Sequence, residues 1–396
     1  MSSSSVWRQI PKSVWALGFV SLLMDVSSEM IHSLLPLFMV TDLGMSALSI
    51  GAIEGAAEAT ALIVKVFSGV ISDYLGKRKA LAVIGYGLGA LTKPLFAIAG
   101  SSGMVLTARL TDRIGKGIRG APRDALIADV TPTEIRGAAF GLRQALDTTG
   151  AFLGPLLAVG LMVLWQNDFR AVFWVAVIPG LLAVAVLLFG VSESQSAPAL
   201  VRHNPIRFSN LRRLDAHYWQ VVMLGAIFTL ARFSEAFLVL RAQQSGMSLA
   251  AIPLVMVAMN IVYAVSAYPF GKLSDNYSSH RILGWGLWVL MAADAVLAAS
   301  AAWWAVIAGV GLWGLHMGMT QGLLTKLVAD TAPSDLRGSA YGFFNLLSGL
   351  TLLVASVLAG WLWDDFGAEA TFMAGGVFCL LALAILALAV NQISSQ

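Results

Sequence analysis

The chain has 396 residues, 58% of them hydrophobic and only 12% charged, with a formal net charge of +3. Soluble domains carry about 25% charged residues, so this composition and a mean hydropathy of +0.79 exclude an ordinary soluble fold. The charge excess calls for no nucleic-acid partner, and a single cysteine, Cys379, excludes an intramolecular disulfide and a thiolate metal cluster.

Apolar runs of about 20 residues, each long enough to cross a bilayer core, recur from end to end. They predict twelve transmembrane helices, spans 1 to 12, at 14–40, 47–71, 80–100, 103–128, 137–165, 170–191, 218–241, 248–272, 281–301, 303–328, 338–363 and 368–391. Barrel strands would alternate in short segments, so the fold class is an all-α polytopic membrane protein. The opening segment MSSSSVWRQIPK holds two basic residues before span 1. The apolar stretch is too long for a signal peptide and no small-residue cleavage site ends it, so span 1 reads as retained.

Cations set the expected orientation. Arg8 and Lys12 precede span 1, Lys77, Arg78 and Lys79 join spans 2 and 3, and Arg202, Arg207, Arg212 and Arg213 crowd the 6–7 connection. The opposite connections hold few cations, Arg170 and Arg241 among them. Positive residues stay cytoplasmic, so the expectation is a multi-pass protein of the inner (cytoplasmic) membrane with both termini on the cytoplasmic side.

Within the spans, ionisable residues fall on helical faces. Asp25, Glu29 and His32 share one face of span 1, as do Glu54, Glu58 and Lys65 in span 2. Span 4 is the least expected: TDRIGKGIRGAPRDALIAD, residues 111–129, places Arg113, Lys116, Arg119 and Arg123 inside an apolar run. At about 100° per residue they fall within an arc of roughly 120°, with Asp112 on that face and Asp124 just off it. Facing lipid, each cation would cost about 2.5–3.5 kcal/mol, on the order of 10 kcal/mol for four, so the stripe must face protein or water. Span 5 carries Arg143 and Asp147 on one face, span 7 carries Arg232 and Glu235, and Asn260, His316, Gln321 and Asn345 follow in spans 8, 10 and 11.

Guanidinium and ammonium groups pair with carboxylate and phosphate. Lys116, Arg119, Arg113, Arg143 and Arg232, with the uncharged Asn260, His316, Gln321 and Asn345, are therefore the expected contacts of an anionic or zwitterionic small molecule. Proton coupling needs groups that change charge between water and burial. Glu29 and Asp25 lead that set, with His32, Glu54, Glu58, Asp147 and Glu235 behind them; a fixed ion pair with Arg119 or Arg143 is the static alternative. Arg123 and Asp124 read as a structural pair.

The chain repeats itself. GVISDYLGKRK at Gly69 matches GKLSDNYSSHR at Gly271, an offset of 202, and ADVTPTEIRGAAFG at Ala128 matches ADTAPSDLRGSAYG at Ala329, an offset of 201. The expected organisation is a six-helix bundle over 1–191, a cytoplasmic linker over 192–217 and a second six-helix bundle over 218–396, as parallel repeats with the substrate site between them. Asp129, Glu134 and Arg136, with counterparts Asp330, Asp335 and Arg337, cluster at equivalent turns and could pair in one state and part in the other.

The stretch from Gly69 to Lys79, with Asp73, Gly76 and Arg78, resembles the helix 2–3 signature of the major facilitator superfamily, and Gly271 to Arg281 resembles its degenerate second copy. The resemblance covers essentially the whole chain. It implies two pseudo-symmetric six-helix bundles, alternating access, a fourth span lining the cavity, and gating roles for Asp73, Arg78 and Asp275. Gly141, Gly150, Gly154 and Pro155 resemble the span 5 motif of the family's proton-coupled exporters, with Ala158 in place of the final glycine. The expected activity is export of a small organic anion or zwitterion by proton antiport, in a monomer, without cofactor or metal and with the proton gradient as energy source. The alternative is proton symport of an organic anion, organophosphate or metal chelate. A membrane enzyme would need a nucleophile or metal-binding pattern, which the sequence lacks, and no nucleotide-binding loop supports an ATP-driven pump. A channel is disfavoured by the paired halves.

Overall fold

The computed structural model describes residues 9–75, 77–192, 213–274, 277–333 and 336–394, and all regular structure among them is helical. Spans 2 to 6 are single long helices: Ala47–Leu75, Arg78–Ile98, Ser102–Val130, Arg136–Leu164 and Phe169–Gly190. Spans 8 to 12 are Leu254–Leu273, Ser279–Ala299, Trp303–Thr331, Arg337–Phe366 and Ala368–Ser394. Ten of the described spans are long and apolar enough to cross a membrane, and spans 4 and 10 are the two outside that set. Several starts are capped as an exposed helix end requires: Asp168 accepts from Ala171 N at 3.0 Å and Asp215 from Tyr218 N at 2.9 Å.

Two spans depart from the expected continuous helix. Span 1 divides into Lys12–His32 and Leu35–Thr41, where Pro36 cannot donate to the helical ladder. Span 7, expected unbroken over 218–241, divides into Ala216–Ala231 and Ala236–Gln244, and Arg232 to Glu235 leave helical geometry. No proline forces this second break. The freed Ser234 N–H donates to Ser356 Oγ of span 11 at 3.2 Å, so the unwound backbone is satisfied by a neighbouring side chain. Span 8 also begins later than expected, at Leu254, after a series of turns.

The repeat extends to backbone conformation. Gly44 and Gly246, 202 residues apart, both adopt positive φ (61° and 77°) in the connections after spans 1 and 7. Gln166 and Asn167 (51° and 69°) and Gly367 (90°) do so in the connections after spans 5 and 11. Glycine and asparagine tolerate this region better than other residues.

The described residues within 1–35 and 60–204 form one compact unit, and those within 36–59 and 205–396 form a second. In the first, Val14, Leu17, Val20 and Met24 of span 1 pack with Tyr86, Leu126, Leu142 and Leu187 in a continuous apolar core. Arg170 donates to Ala97 O and Ala99 O at 2.9 and 2.7 Å, closing the end of span 3. In the second unit Asp364 of span 11 accepts from Ala47 N and Leu48 N, at 3.0 and 2.8 Å, capping span 2. Arg241 there donates to Leu297 O at 2.9 Å at the end of span 9 and pairs with Glu369 at 3.3 Å.

Candidate functional site

The first unit gathers most of the expected ionisable residues around spans 1, 3, 4 and 5. Spans 1 and 5 approach so closely that a Cβ on Gly150 would lie 2.6 Å from Leu22 O, and one on Gly154 2.7 Å from the Glu29 Cβ. The two span 5 glycines thus hold the Asp25–Glu29–His32 face against span 5, a use of small residues common in membranes.

Glu29 sits 3.5 Å from His32 Nδ1, and Asp112 lies 3.7 Å from His32 Nε2. Arg109 pairs with His32, and Arg113 Nη2 reaches the His32 ring nitrogens at 3.3 and 3.4 Å. Asp112 is held by Lys93, whose Nζ donates at 2.8 Å and also reaches Ser28 Oγ at 3.0 Å. Neither Lys93 nor Asp112 is accessible to solvent (0% and 3% side-chain exposure). Asp25 is half-buried, and a Cβ on Gly150 would lie 2.9 Å from its own Cβ. Asp147 lies 3.7 Å from Arg143 and 3.8 Å from Arg123. The expected Arg123–Asp124 pair is present at 3.1 Å.

The four expected cations of span 4 are not equivalent. Arg113 and Arg119 are buried, Arg123 is half-buried and only Lys116 is exposed. The Arg119 guanidinium stacks 4.8 Å above the Tyr86 ring, a cation–π arrangement, and its Nη1 finds no hydrogen-bond partner among the described residues. Glu29 pairs with His32 on its own span, and Arg143 with Asp147 on its own.

Among the residues expected to gate, Arg78 pairs with Asp129, joining the two repeated motifs of this half, while Lys79 donates to Leu188 O at 2.8 Å. Arg136 donates to Thr131 O at 3.3 Å, and Glu134 and Asp330 are exposed. Asp275 and Asp335 lie outside the described residues, as do the side chains of Asp73 and Arg337 and the linker arginines Arg202, Arg207 and Arg212.

In the second unit, Arg232 and Glu235 do not share a helical face, because the span 7 break runs through them. Arg232 and Glu235 are both half-buried there. Glu54 is buried and Glu58 half-buried. His316 is fully buried, pairs with Gly286 O at 2.8 Å and stacks on Phe228 at 5.9 Å. Asn260 and Asn345 are half-buried. Gln321 is exposed and lines a cavity of about 270 Å³ with Tyr263, Ser274, Met317 and Lys326.

Lys93, Arg109, Tyr86 and Asp294 were not among the expected site residues. Lys93 and Asp294 are single charges in otherwise apolar runs, and the signal that could have found them is the repeat: they occupy equivalent positions, 201 residues apart.

Fold and charge placement define a multi-pass membrane protein built to hold polar side chains inside its helical bundles. The sequence profile of the Major Facilitator Superfamily matches residues 17–241 and 221–394, and the chain belongs to that family. It is 35% identical over 383 residues to an MFS-type transporter of Methanocaldococcus jannaschii, covering 95% of this chain and 94% of the relative. It is 22% identical over 375 residues to the quinolone resistance protein NorA of Staphylococcus aureus, covering 92% and 94% of the two chains. Its fold is similar to a bacterial homologue of the human lysosomal transporter Spinster, with a TM-score of 0.79 at 15% identity over 99% and 98% of the two chains. The protein is accordingly a transporter of small molecules, not an enzyme.

Proposed function

We propose that this transporter works by alternating access as a proton-coupled antiporter, exporting a small anionic or zwitterionic organic molecule across the cytoplasmic membrane with both termini inside. It acts as a monomer and draws on the proton gradient without a cofactor. The observation that carries the reading is the imbalance of the first unit's polar cluster. Three of its acids are engaged: Asp112 by Lys93, Asp147 by Arg143 and Arg123, and Glu29 by His32. The cationic face retains an exposed Lys116 and an Arg119 Nη1 without a partner among the described residues. A carboxylate or phosphate on the cargo would complete that face.

Proton coupling is supported by the placement of Asp25 and Glu29 on the span 1 face held against span 5, because a carboxyl group that alternates between water and burial changes its affinity for a proton. The 22% likeness to a quinolone resistance protein favours outward transport. Gating falls to Arg78 and Asp129, with Asp73, Arg136, Asp275, Asp330 and Arg337 as the remaining members of the repeated turns.

The test is a thermal-stability screen of charged metabolites and drugs, followed by transport of any hit in vesicles under an imposed pH gradient. Export is supported by cargo movement opposite to the proton gradient, with hit affinity lost in Lys116→Ala and Arg119→Ala. Movement of cargo with the protons overturns it in favour of symport of an organic anion, organophosphate or metal chelate. Unchanged affinity in both variants overturns the anion site.

A further inference from the structure

Asp294, in the second half of span 9, is 1% exposed, and neither of its carboxylate oxygens has a hydrogen-bond partner among the described residues. Its surroundings are apolar on each side that packs against it. Span 12 presents Gly375, where a Cβ would lie 2.5 Å from Asp294 Oδ2 and 3.3 Å from a Phe233 ring carbon, and one turn on the buried Cys379. Phe233, in the span 7 break, packs against Trp313 of span 10 and Phe372 of span 12, at 5.3 and 5.7 Å between ring centroids. The other ionisable groups facing span 9 are committed elsewhere: His316 to Gly286 O, and Arg241 to Leu297 O and Glu369.

A carboxylate in such a place loses its hydration with no donor in return, which an ionised group does not tolerate. A metal ion would need several further oxygen ligands. The described residues hold no group of three His, Cys, Asp or Glu side chains suited to one, and the close approach of span 12 leaves it no room. A proton is the occupant that fits.

The repeat gives this position a counterpart. Subtracting 201 from Asp294 gives Lys93, and subtracting it from Trp313 gives Asp112. One half joins these positions by a buried ion pair; the other has an acid and an indole, and Trp313 Nε1 also lacks a partner among the described residues. The acid has moved to the opposite span, and an indole, which does not titrate, takes its place on the next helix.

We propose that Asp294 is a proton-binding site of the C-terminal half, a carboxylic acid that holds its proton at neutral pH and releases it when spans 9, 10 and 12 admit water. Its use in coupling rests on the antiport reading above; its protonation does not. The experiment is infrared spectroscopy of the full-length protein in lipid nanodiscs, comparing wild type with Asp294→Asn at neutral and alkaline pH. The expected result is a protonated-carboxyl stretch in the wild type that the variant lacks and that alkaline pH removes reversibly. Identical spectra of the two proteins in that region at neutral pH overturn the proposal.

Asparagine has the shape of the neutral acid, so the variant should keep the wild-type melting temperature. A fall of several degrees in the variant would reveal an ionised group with a partner and also overturns the proposal. Vesicle transport separates the two readings. Wild-type transport indifferent to a pH gradient sinks proton coupling while the infrared result stands, whereas gradient-driven transport without the Asp294 band sinks the proton site alone.

Discussion

Removing Lys93 tests how the first unit tolerates charge in its interior. Lys93 and Asp112 form a 2.8 Å ion pair with side-chain exposures of 0% and 3%. Substituting Lys93→Met preserves side-chain bulk but strands the carboxylate, and breaking a buried pair at one partner costs about 3–5 kcal/mol. His32, 3.7 Å from Asp112, offsets part of that loss, which places the expected value toward the lower end of that range. Adding Asp112→Asn removes the stranded charge and should recover half or more of the deficit, because replacing both members of a buried pair is often close to neutral. Unfolding in mixed micelles followed by the fluorescence of the twelve tryptophans gives each free energy, and the four proteins form a double-mutant cycle. A single-variant cost below about 1 kcal/mol, or a double variant no more stable than Lys93→Met, would refute the buried-pair argument.

Four further outcomes are open to measurement. Gly150→Val and Gly154→Val force side chains into Leu22 O and the Glu29 Cβ, and each should lower stability by about 1–3 kcal/mol or more in the same unfolding assay. Asp364→Ala removes the cap on Ala47 N and Leu48 N and should cost about 1 kcal/mol, with Asp364→Asn retaining part of it. Arg241→Met leaves Leu297 O and Ala298 O without their donors, a loss of about 1–3 kcal/mol visible as faster hydrogen exchange at the end of span 9. Lys116→Ala, at an exposed position, should change stability by less than about 0.5 kcal/mol while abolishing stabilisation by an anionic ligand in the thermal screen.

Much of the architecture is legible in the sequence, for identifiable reasons. Apolar run length fixes helix length in a bilayer, and the two repeated motifs disclose the doubling of the chain. The cationic face of span 4 was also visible, because helical periodicity brings Arg113, Lys116 and Arg119 together whatever they contact. The buried state of Arg113 and Arg119 against the exposed state of Lys116 was not visible, since it depends on which residues of spans 1 and 3 lie opposite. The division of span 7 escaped for a related reason. Nothing in Arg232-Phe233-Ser234-Glu235 disfavours a helix strongly, and the unwound backbone is stabilised by Ser356, more than a hundred residues away in sequence. Lys93 carries no distinguishing signal in the sequence, because a lone lysine in an apolar run is equally consistent with a snorkelling side chain. Only the position of Asp112 across the helix interface distinguishes the two.

Arg170 and Arg241 carry full positive charges at the rims of their respective units, yet both lie against helix ends. A helix C-terminus presents the equivalent of about half a negative elementary charge, and each guanidinium is fastened to the carbonyls that create it. Seen from a distance, each arginine and its helix end form a compact dipole whose potential decays quickly. A tally of arginines read along the chain therefore overstates the electrostatic beacon those rims present to a diffusing anion, and long-range attraction for one would have to originate from cations not already fastened to helix ends.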